Sequence, residues 1–498
     1  MVAAPTIEEI TERISREVSH IIDWISSSGS TSFLKFEKEL VPRVFGLGLL
    51  FISLFLTMRE EETRANYPKP VNHKWQPKKD RLLGTLFGKV RYWRSYLYRS
   101  GGGGGYYPMD VELGLNGDGF SMLVKSYATR IATKMSYAQA TVVLRLFLQW
   151  SPAQRSVEEM VLGIGRHTGE WFESAPAPEN DGEVLIIQID SKANPTATEE
   201  ELEKRRGKRK PNPHPGSQRH RGKAARLRRG SKKRRKKGDK AKNGKMATIV
   251  VMYTLKMSED GSLEGPINKK VYASYAPKRH AVTVARREAD KRGFDKESGK
   301  LVQIVTDGDN DLAYYIEELL PEANHTIDVF HVLEYLWEAG RILYKEGSDE
   351  LERWVETHKE ALYEGQAEEI VAEIDTQIAL LPQNSSRVRL EKIRNYLNHR
   401  LAGMNYKALR AQDLEISSGA VEGAVNYVIA KRFDSGGMRW IKERSEALLQ
   451  LRCIEVNDDW DDFISFVHDK TKKQAQQEQK IISLKCSKPA PLPTYGLT

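Results

Sequence analysis

Cysteine is almost missing from this chain. Cys453 and Cys486 are the only two in 498 residues. They make no metal-ligand spacing and no disulfide framework, so nothing calls for an oxidising compartment and a reducing cytoplasm fits. Apolar runs of bilayer length are also missing. The longest, VFGLGLLFISLFLTM at 44–58, has fifteen residues, short of the roughly twenty that a span needs. It reads as a buried helix, and no membrane contact is expected. The first residues, MVAAPTIEEITERISREV, carry early acids on an amphipathic helical pattern and do not form a signal peptide. No internal repeat is evident.

Acidic residues are nearly absent from one stretch, and that absence is informative. Residues 204–245 hold 21 of the 78 Lys and Arg but only one of the 68 acidic residues, Asp239. The rest of the chain therefore carries 57 basic against 67 acidic residues, a net charge of −10, although the whole is +10. The basicity is one local device on an acidic protein. A run this dense binds phosphate backbones through counterion release without reading sequence, which makes nucleic acid the leading partner. The cations include Lys204, Arg205, Arg206, Lys208, Arg209, Lys210, Arg221, Arg228, Arg229, Lys232, Lys233, Arg234, Arg235, Lys236 and Lys237. With 40% hydrophobic and 29% charged residues the remainder suits a soluble globular protein. Its length suggests roughly two to four domains.

The chain divides by pattern. Residues 1–65 look helical, and 66–118 form a small β- and Gly-rich segment around SGGGGGYYP, whose five glycines make a flexible turn. Residues 119–175 are helical again, and SYAQATVVLRLFLQW, SPAQRS and VEEMVLGIG resemble a helix-turn-helix as much as plain helical packing. APAPENDG at 175–182 reads as a linker. From 183 to 332 strands dominate: VLIIQID, MATIVVMYTL, KKVYASYA, LVQIVTDGD and HTIDVFHV, with helices between the last three. Three strands with looping connections, then strand–helix–strand alternation, predict an α/β unit with a mixed sheet and helices on its faces. Residues 333–415 read as an all-helical insertion, 416–470 as a Glu-bearing helix and the end of the core, and 471–498 as a tail.

Two of these strands run into aspartate, at Asp190 and Asp307. A strand-end carboxylate sits at the sheet edge where ligands bind. If the first and fourth strands are neighbours, the two acids converge. Close carboxylates repel unless a divalent cation neutralises them, and Mg²⁺ prefers such oxygen ligands. Alone, each is equally a turn former, TDGD above all. A third acid should come from a helix. SSGAVEGAV offers Glu422, with Ser417 or Ser418 as N-cap, although composition gives it little priority over Glu415. Asp309 and Asp311 are close enough to compete with Asp307, which is preferred because it directly follows the apolar strand.

IQID, VTDGD, DVFHVLEYLW and SSGAVEG occur in the order found in transposases with a DDE triad on an RNase H-like fold. The chain most resembles insertion-sequence transposases of the Kra type. FGKVRYWRSYLYRSGGGGGYYPMDVELGL is similar to that family's pre-catalytic segment, and the resemblance spans roughly residues 80–465. It implies Asp190, Asp307 and Glu422 as a catalytic and metal-binding triad, 117 and 115 residues apart, holding two Mg²⁺ for which Mn²⁺ substitutes. The long second gap implies a helical insertion before the Glu helix. His331, in DVFH, is implied to contact the scissile phosphate or flanking DNA. The implied activity is hydrolysis at transposon ends and 3′-OH strand transfer into double-stranded target DNA. Two ends must be joined, so at least a homodimer is implied, in a bacterial cytoplasm at the nucleoid. Two departures stand out. Paired cysteines of many relatives are replaced by GGGGG, so no zinc site can be built there, and the basic tract sits between the first two strands. A non-catalytic DNA-binding protein that keeps the fold is the main rival. An RNA-binding factor is the second, and the internal position of the tract argues against it.

Overall fold

The structure, a computed structural model, describes residues 4–29, 31–100, 104–115, 117–200, 203, 244–434 and 440–484. The Lys and Arg side chains named between 204 and 237 lie outside the described residues. Two compact units are present: residues 1–171 with 459–498, and residues 172–458.

In the first unit α1 (Ile7–Ser27) starts at a capping box in which the Thr6 hydroxyl accepts the Glu9 N–H and the Glu9 carboxylate accepts the Thr6 N–H. The next helix, α2 (Phe33–Asn66), corrects an expectation. The apolar run 44–58 is its middle, and the run is not buried: only 6% of the most apolar stretch of α2 is covered. The run is apolar all round, but its neighbours cover one side. Leu49, Ile52 and Leu56 pack with Leu83, Val90, Tyr92 and Met109 from an antiparallel hairpin and a short helix. By length and composition α2 is long and apolar enough to cross a membrane, so the fifteen-residue count understated it.

Strands β1 (His73–Trp75), β2 (Lys79–Thr85), β3 (Gly88–Arg94), β4 (Leu97–Arg99) and β5 (Gly105–Tyr106) form two small sheets, β1-β4-β5 and the β2-β3 hairpin. Helices α3 (Pro108–Glu112), α4 (Met122–Lys134), α5 (Tyr137–Leu148), α6 (Gln154–Gly165) and α7 (Thr168–Ser174) follow. The buried Asp110 of α3 accepts from Arg81, Arg94 and the Tyr92 hydroxyl. Burial pushes its pKa up, while Arg94, Tyr92 and Arg81 oppose the rise.

The second unit holds a five-stranded mixed sheet. Its strands are β6 (Val184–Pro195), β7 (Gly244–Met257), β8 (Leu263–Ser274), β9 (Leu301–Thr306) and β10 (Asn324–Ile327), in spatial order β10-β9-β6-β7-β8. β6, β7 and β8 are antiparallel; β9 and β10 run parallel to β6. β6 does not stop at Asp190, as its apolar run suggested. It pairs with β7 as far as Pro195↔Gly244, while its pairing with β9 ends at Ile189↔Thr306. SKANP lacks the apolar residues that mark a strand, yet the long hairpin partner holds it extended.

Side chains alternate across the sheet. On one face Leu185, Ile187, Ile189, Val302 and Ile304 pack against α8 (Lys278–Lys291) and α9 (Asn310–Leu319). Gln188, Asp190 and Gln303 belong to the opposite face by that alternation. Helices α10 (Val329–Leu343), α11 (Asp349–Tyr363), α12 (Ala367–Leu380), α13 (Ser385–Asn398) and α14 (Tyr406–Arg410) follow β10. Then come α15 (Gly419–Ala424), a π-helix (Val425–Asp434) and α16 (Lys442–Val456). The 175–182 segment has no regular structure, but its end is pinned: Asp181 accepts from Arg292, Thr254 and Asn268.

His325 on β10 makes this unit pH-sensitive. Its Nε2 lies 2.9 Å from the Thr306 hydroxyl, and burial, aided by the Arg400 charge, lowers its pKa to about 4. The unfolded chain binds this proton near pH 6.5, whereas the folded chain resists it until about pH 4. Stability due to His325 is thus present above pH 6.5 and lost as pH falls towards 4. Between pH 6.5 and 5 the loss is about 2 kcal/mol. Urea titrations over that range should show a steeper loss for the wild type than for His325→Gln; identical slopes would remove His325 as the cause.

Candidate metal and catalytic site

Asp190 and Asp307 stand side by side. Each lies one residue past the last parallel pair, Ile189↔Thr306, on neighbouring strands that run about 4.8 Å apart. Burial pushes the Asp190 pKa up; the Ser191 N–H, at 2.5 Å, opposes that. The charges of Asp307 and Glu422 raise it further, and His331 works against them. These four side chains therefore share one electrostatic neighbourhood. Among the described residues, none of Asp190, Asp307 and Glu422 makes an ion pair with Lys or Arg.

The neighbouring acids are otherwise engaged. Asp309 caps α9, accepting from Asp311 and Leu312 N–H, and lies 2.5 Å from the Lys278 ammonium. Although burial opposes it, Lys278 holds Asp309 below its ordinary value. Asp311 is also paired with Lys278, at 3.3 Å. The turn between Asp307 and α9 is built for close approach. Gly308 has φ +79°, and a Cβ there would meet Tyr396 and Arg400 at 2.6 Å. Tyr396 donates to the Asp307 carbonyl at 2.7 Å, and Arg400 donates to the Gly308 carbonyl and to Asn310. Tyr396 on α13 and Arg400 just past its end thus fix the Asp307 loop from outside the sheet. Glu415 accepts the Tyr253 hydroxyl at 2.7 Å, which distinguishes it from the exposed Glu422.

Glu422 is delivered by a connector fastened to the sheet. The buried Gln303 donates to the Glu415 carbonyl at 2.7 Å and accepts the Glu415 N–H at 3.0 Å, pairing with it as a strand would. Gln188 donates to the Ser417 carbonyl at 3.2 Å and accepts the Val421 N–H at 2.9 Å. The Val329 N–H donates to the Ile416 carbonyl. Ser418 occupies the N-cap position but makes no side-chain cap; its hydroxyl donates to Asp328 instead. Sequence reading missed both glutamines. Their signal was a polar residue inside an apolar strand, two positions before Asp190 and four before Asp307, hence on the same face as each acid.

Asp328, His331 and Glu422 each bring a ligand atom within 4.8 Å of the others. Asp328 is fully buried, and its oxygens are used: one accepts the Phe330 N–H as the cap of α10, the other the Ser418 hydroxyl and N–H. We read it as a strut. His331 lies in the first turn of α10, with Glu334 at 3.5 Å. Among the described residues the ligand atoms that gather within 4.8 Å are those of Asp328, His331 and Glu422; Asp190 and Asp307 are not in that cluster, and Asp190 is tied to His331 and Glu422 through the electrostatics of its carboxyl. Oxygen donors without a compensating cation suit a divalent ion.

No family model matches the chain, and no curated protein matches it. Among solved structures, the Drosophila P element transposase strand transfer complex is similar at a TM-score of 0.31 and 11% identity, covering 70% of this chain and 95% of that one. A TM-score this low carries no weight here.

Proposed function

We propose that the chain is a DDE transposase with an RNase H-like core, of the Kra-type insertion-sequence group. The observation that carries the reading is the shared electrostatic neighbourhood of Asp190, Asp307 and Glu422 at one sheet end, where none of the three pairs with Lys or Arg among the described residues. The strand order, three antiparallel strands then two parallel ones, supports the fold assignment, and the ordered motifs IQID, VTDGD, DVFH and SSGAVEG support the family. Helices α10–α14 fit the insertion before the Glu helix.

In this reading the three acids would hold two Mg²⁺, which would activate the attacking oxygen and neutralise the leaving one. Asp190 and Asp307 owe their fixed spacing to the sheet, and Glu422 owes its approach to the glutamine-held connector. His331, half-buried beside Glu422, contacts the scissile phosphate or flanking DNA. Water attacks at the transposon end, and the freed 3′-OH then attacks target DNA. Both are in-line displacements without a covalent protein intermediate. The basic tract at 204–245 binds DNA backbone, in a chain that works in the cytoplasm as at least a dimer.

The test is a cleavage and strand-transfer assay on end-sequence DNA with Mg²⁺ or Mn²⁺. Metal-dependent products that vanish in Asp190→Ala are expected. If Asp190→Ala, Asp307→Ala and Glu422→Ala all remain active, the mechanism is wrong. Tight DNA binding without any metal-dependent cleavage identifies a non-catalytic DNA-binding protein.

A further inference from the structure

We propose that α2 pairs antiparallel with α2 of a second copy of this chain, with Phe51 on the two-fold axis. Phe33, Val44, Phe51, Phe55 and Met58 leave 46–74% of their surface exposed. At about 100° per residue they fall within an arc of roughly 60° on the helix. The run 44-51-55-58 follows the seven-, four- and three-residue steps that a partner helix demands.

The opposite side of α2 is already occupied. Leu49, Ile52 and Leu56 pack into the core beside the β2-β3 hairpin, and the buried Glu60 accepts the Ser95 N–H at 2.9 Å. A helix fastened along one side to polar, folded chain is not free to be ringed by lipid, which requires an apolar surface all round. With the other side packed on the hairpin, the stripe left uncovered calls for one partner. Val44 and Met58 lie seven residues either side of Phe51, so the stripe reads alike in both directions. A two-fold interface needs such self-complementarity: Phe51 meets Phe51, and Val44 meets the partner's Met58.

Val44, Phe51, Phe55 and Met58, each about half exposed, bring roughly 400 Å² of apolar surface per partner into the pair, while Phe33, eighteen residues from Phe51, lies past the end of the partner's α2. Monomers rarely leave so much contiguous apolar surface uncovered.

Sedimentation equilibrium of the full chain at tens of micromolar should give twice the chain mass. Phe51→Glu and Phe55→Glu should each weaken association by roughly 100-fold or more while leaving circular dichroism and melting unchanged, because both side chains are half exposed. In a Cys486→Ser background, Phe51→Cys should form a disulfide-linked dimer under mild oxidation, and Met58→Cys alone should not. A monomeric wild type overturns the proposal, as does unchanged association of both glutamate variants. Binding to phosphatidylcholine vesicles that Phe51→Glu abolishes would overturn it in favour of a lipid surface. Because mass and cross-linking are read, the outcome is independent of whether the chain cleaves DNA.

Discussion

Asp307→Asn is expected to lower metal-dependent DNA cleavage by roughly 10³-fold or more, at the upper end of what one group stabilising transition-state charge is worth. The same change should leave the metal-free protein as stable as the wild type, or about 0.5–1 kcal/mol more stable. The two effects share one origin. Asp190 is held above its ordinary pKa by burial and by the charges of Asp307 and Glu422, so the folded state bears a repulsion that the unfolded chain does not. Removing one charge relieves it. Glu422→Gln should behave alike, and Asp190→Asn should lose activity with a larger stability gain, because its burial cost disappears too. The wild type should gain melting temperature with millimolar Mn²⁺, and the variants should gain much less, since an ion that binds only the folded state stabilises by mass action. Denaturant titration beside single-turnover cleavage checks both halves. A variant that loses activity together with several kcal/mol of stability would show that the carboxylates are structural.

How far the sequence led depends on where each signal resides. Asp307 was legible because a six-residue apolar strand stops immediately before it, and both the strand and its turn are local features. Asp190 was legible as a residue but not as a place. The β6 ladder runs on to Pro195 only because β7 pairs with it, and pairing is not a property of one segment. The convergence of the two acids depended on β6 and β9 being neighbours, which periodicity could state only as a condition. Glu422 could not be separated from Glu415 by composition; the Tyr253 hydroxyl that occupies Glu415 comes from a strand 162 positions away. The helix after Glu422 widens into a π-helix, whose Tyr427 and Val428 carbonyls accept from Arg452 on α16. Nothing in GAVNYVIAKRF announces that. The exposure of α2 was misread for the reverse reason: apolar content was visible, but what covers it was not.

The glutamines give the second large effect. Gln303→Leu keeps most of the side-chain volume but leaves the part-buried N–H and C=O of Glu415 without partners, a loss of roughly 2–6 kcal/mol at about 1–3 kcal/mol per group. Gln188→Leu removes the donor to the Ser417 carbonyl and leaves the Val421 N–H, next to Glu422, with only its bond to the Ser418 carbonyl. Both are positioning residues: neither reaches the proposed cation, and each acts through the backbone that carries Glu422. Misplacing a catalytic group by about 1 Å costs on the order of 10²-fold in rate, so each variant should lose roughly that much in kcat while DNA affinity stays unchanged. The concentration of Mn²⁺ needed for half-maximal activity should rise as Glu422 loses its fixed approach. Gln303→Glu should be worse than its size suggests, because a carboxylate would face the Glu415 carbonyl it can no longer donate to. A purely structural role predicts the opposite split, with stability lost but kcat and the metal requirement of the surviving folded fraction unchanged. Active-site titration of that fraction decides between them.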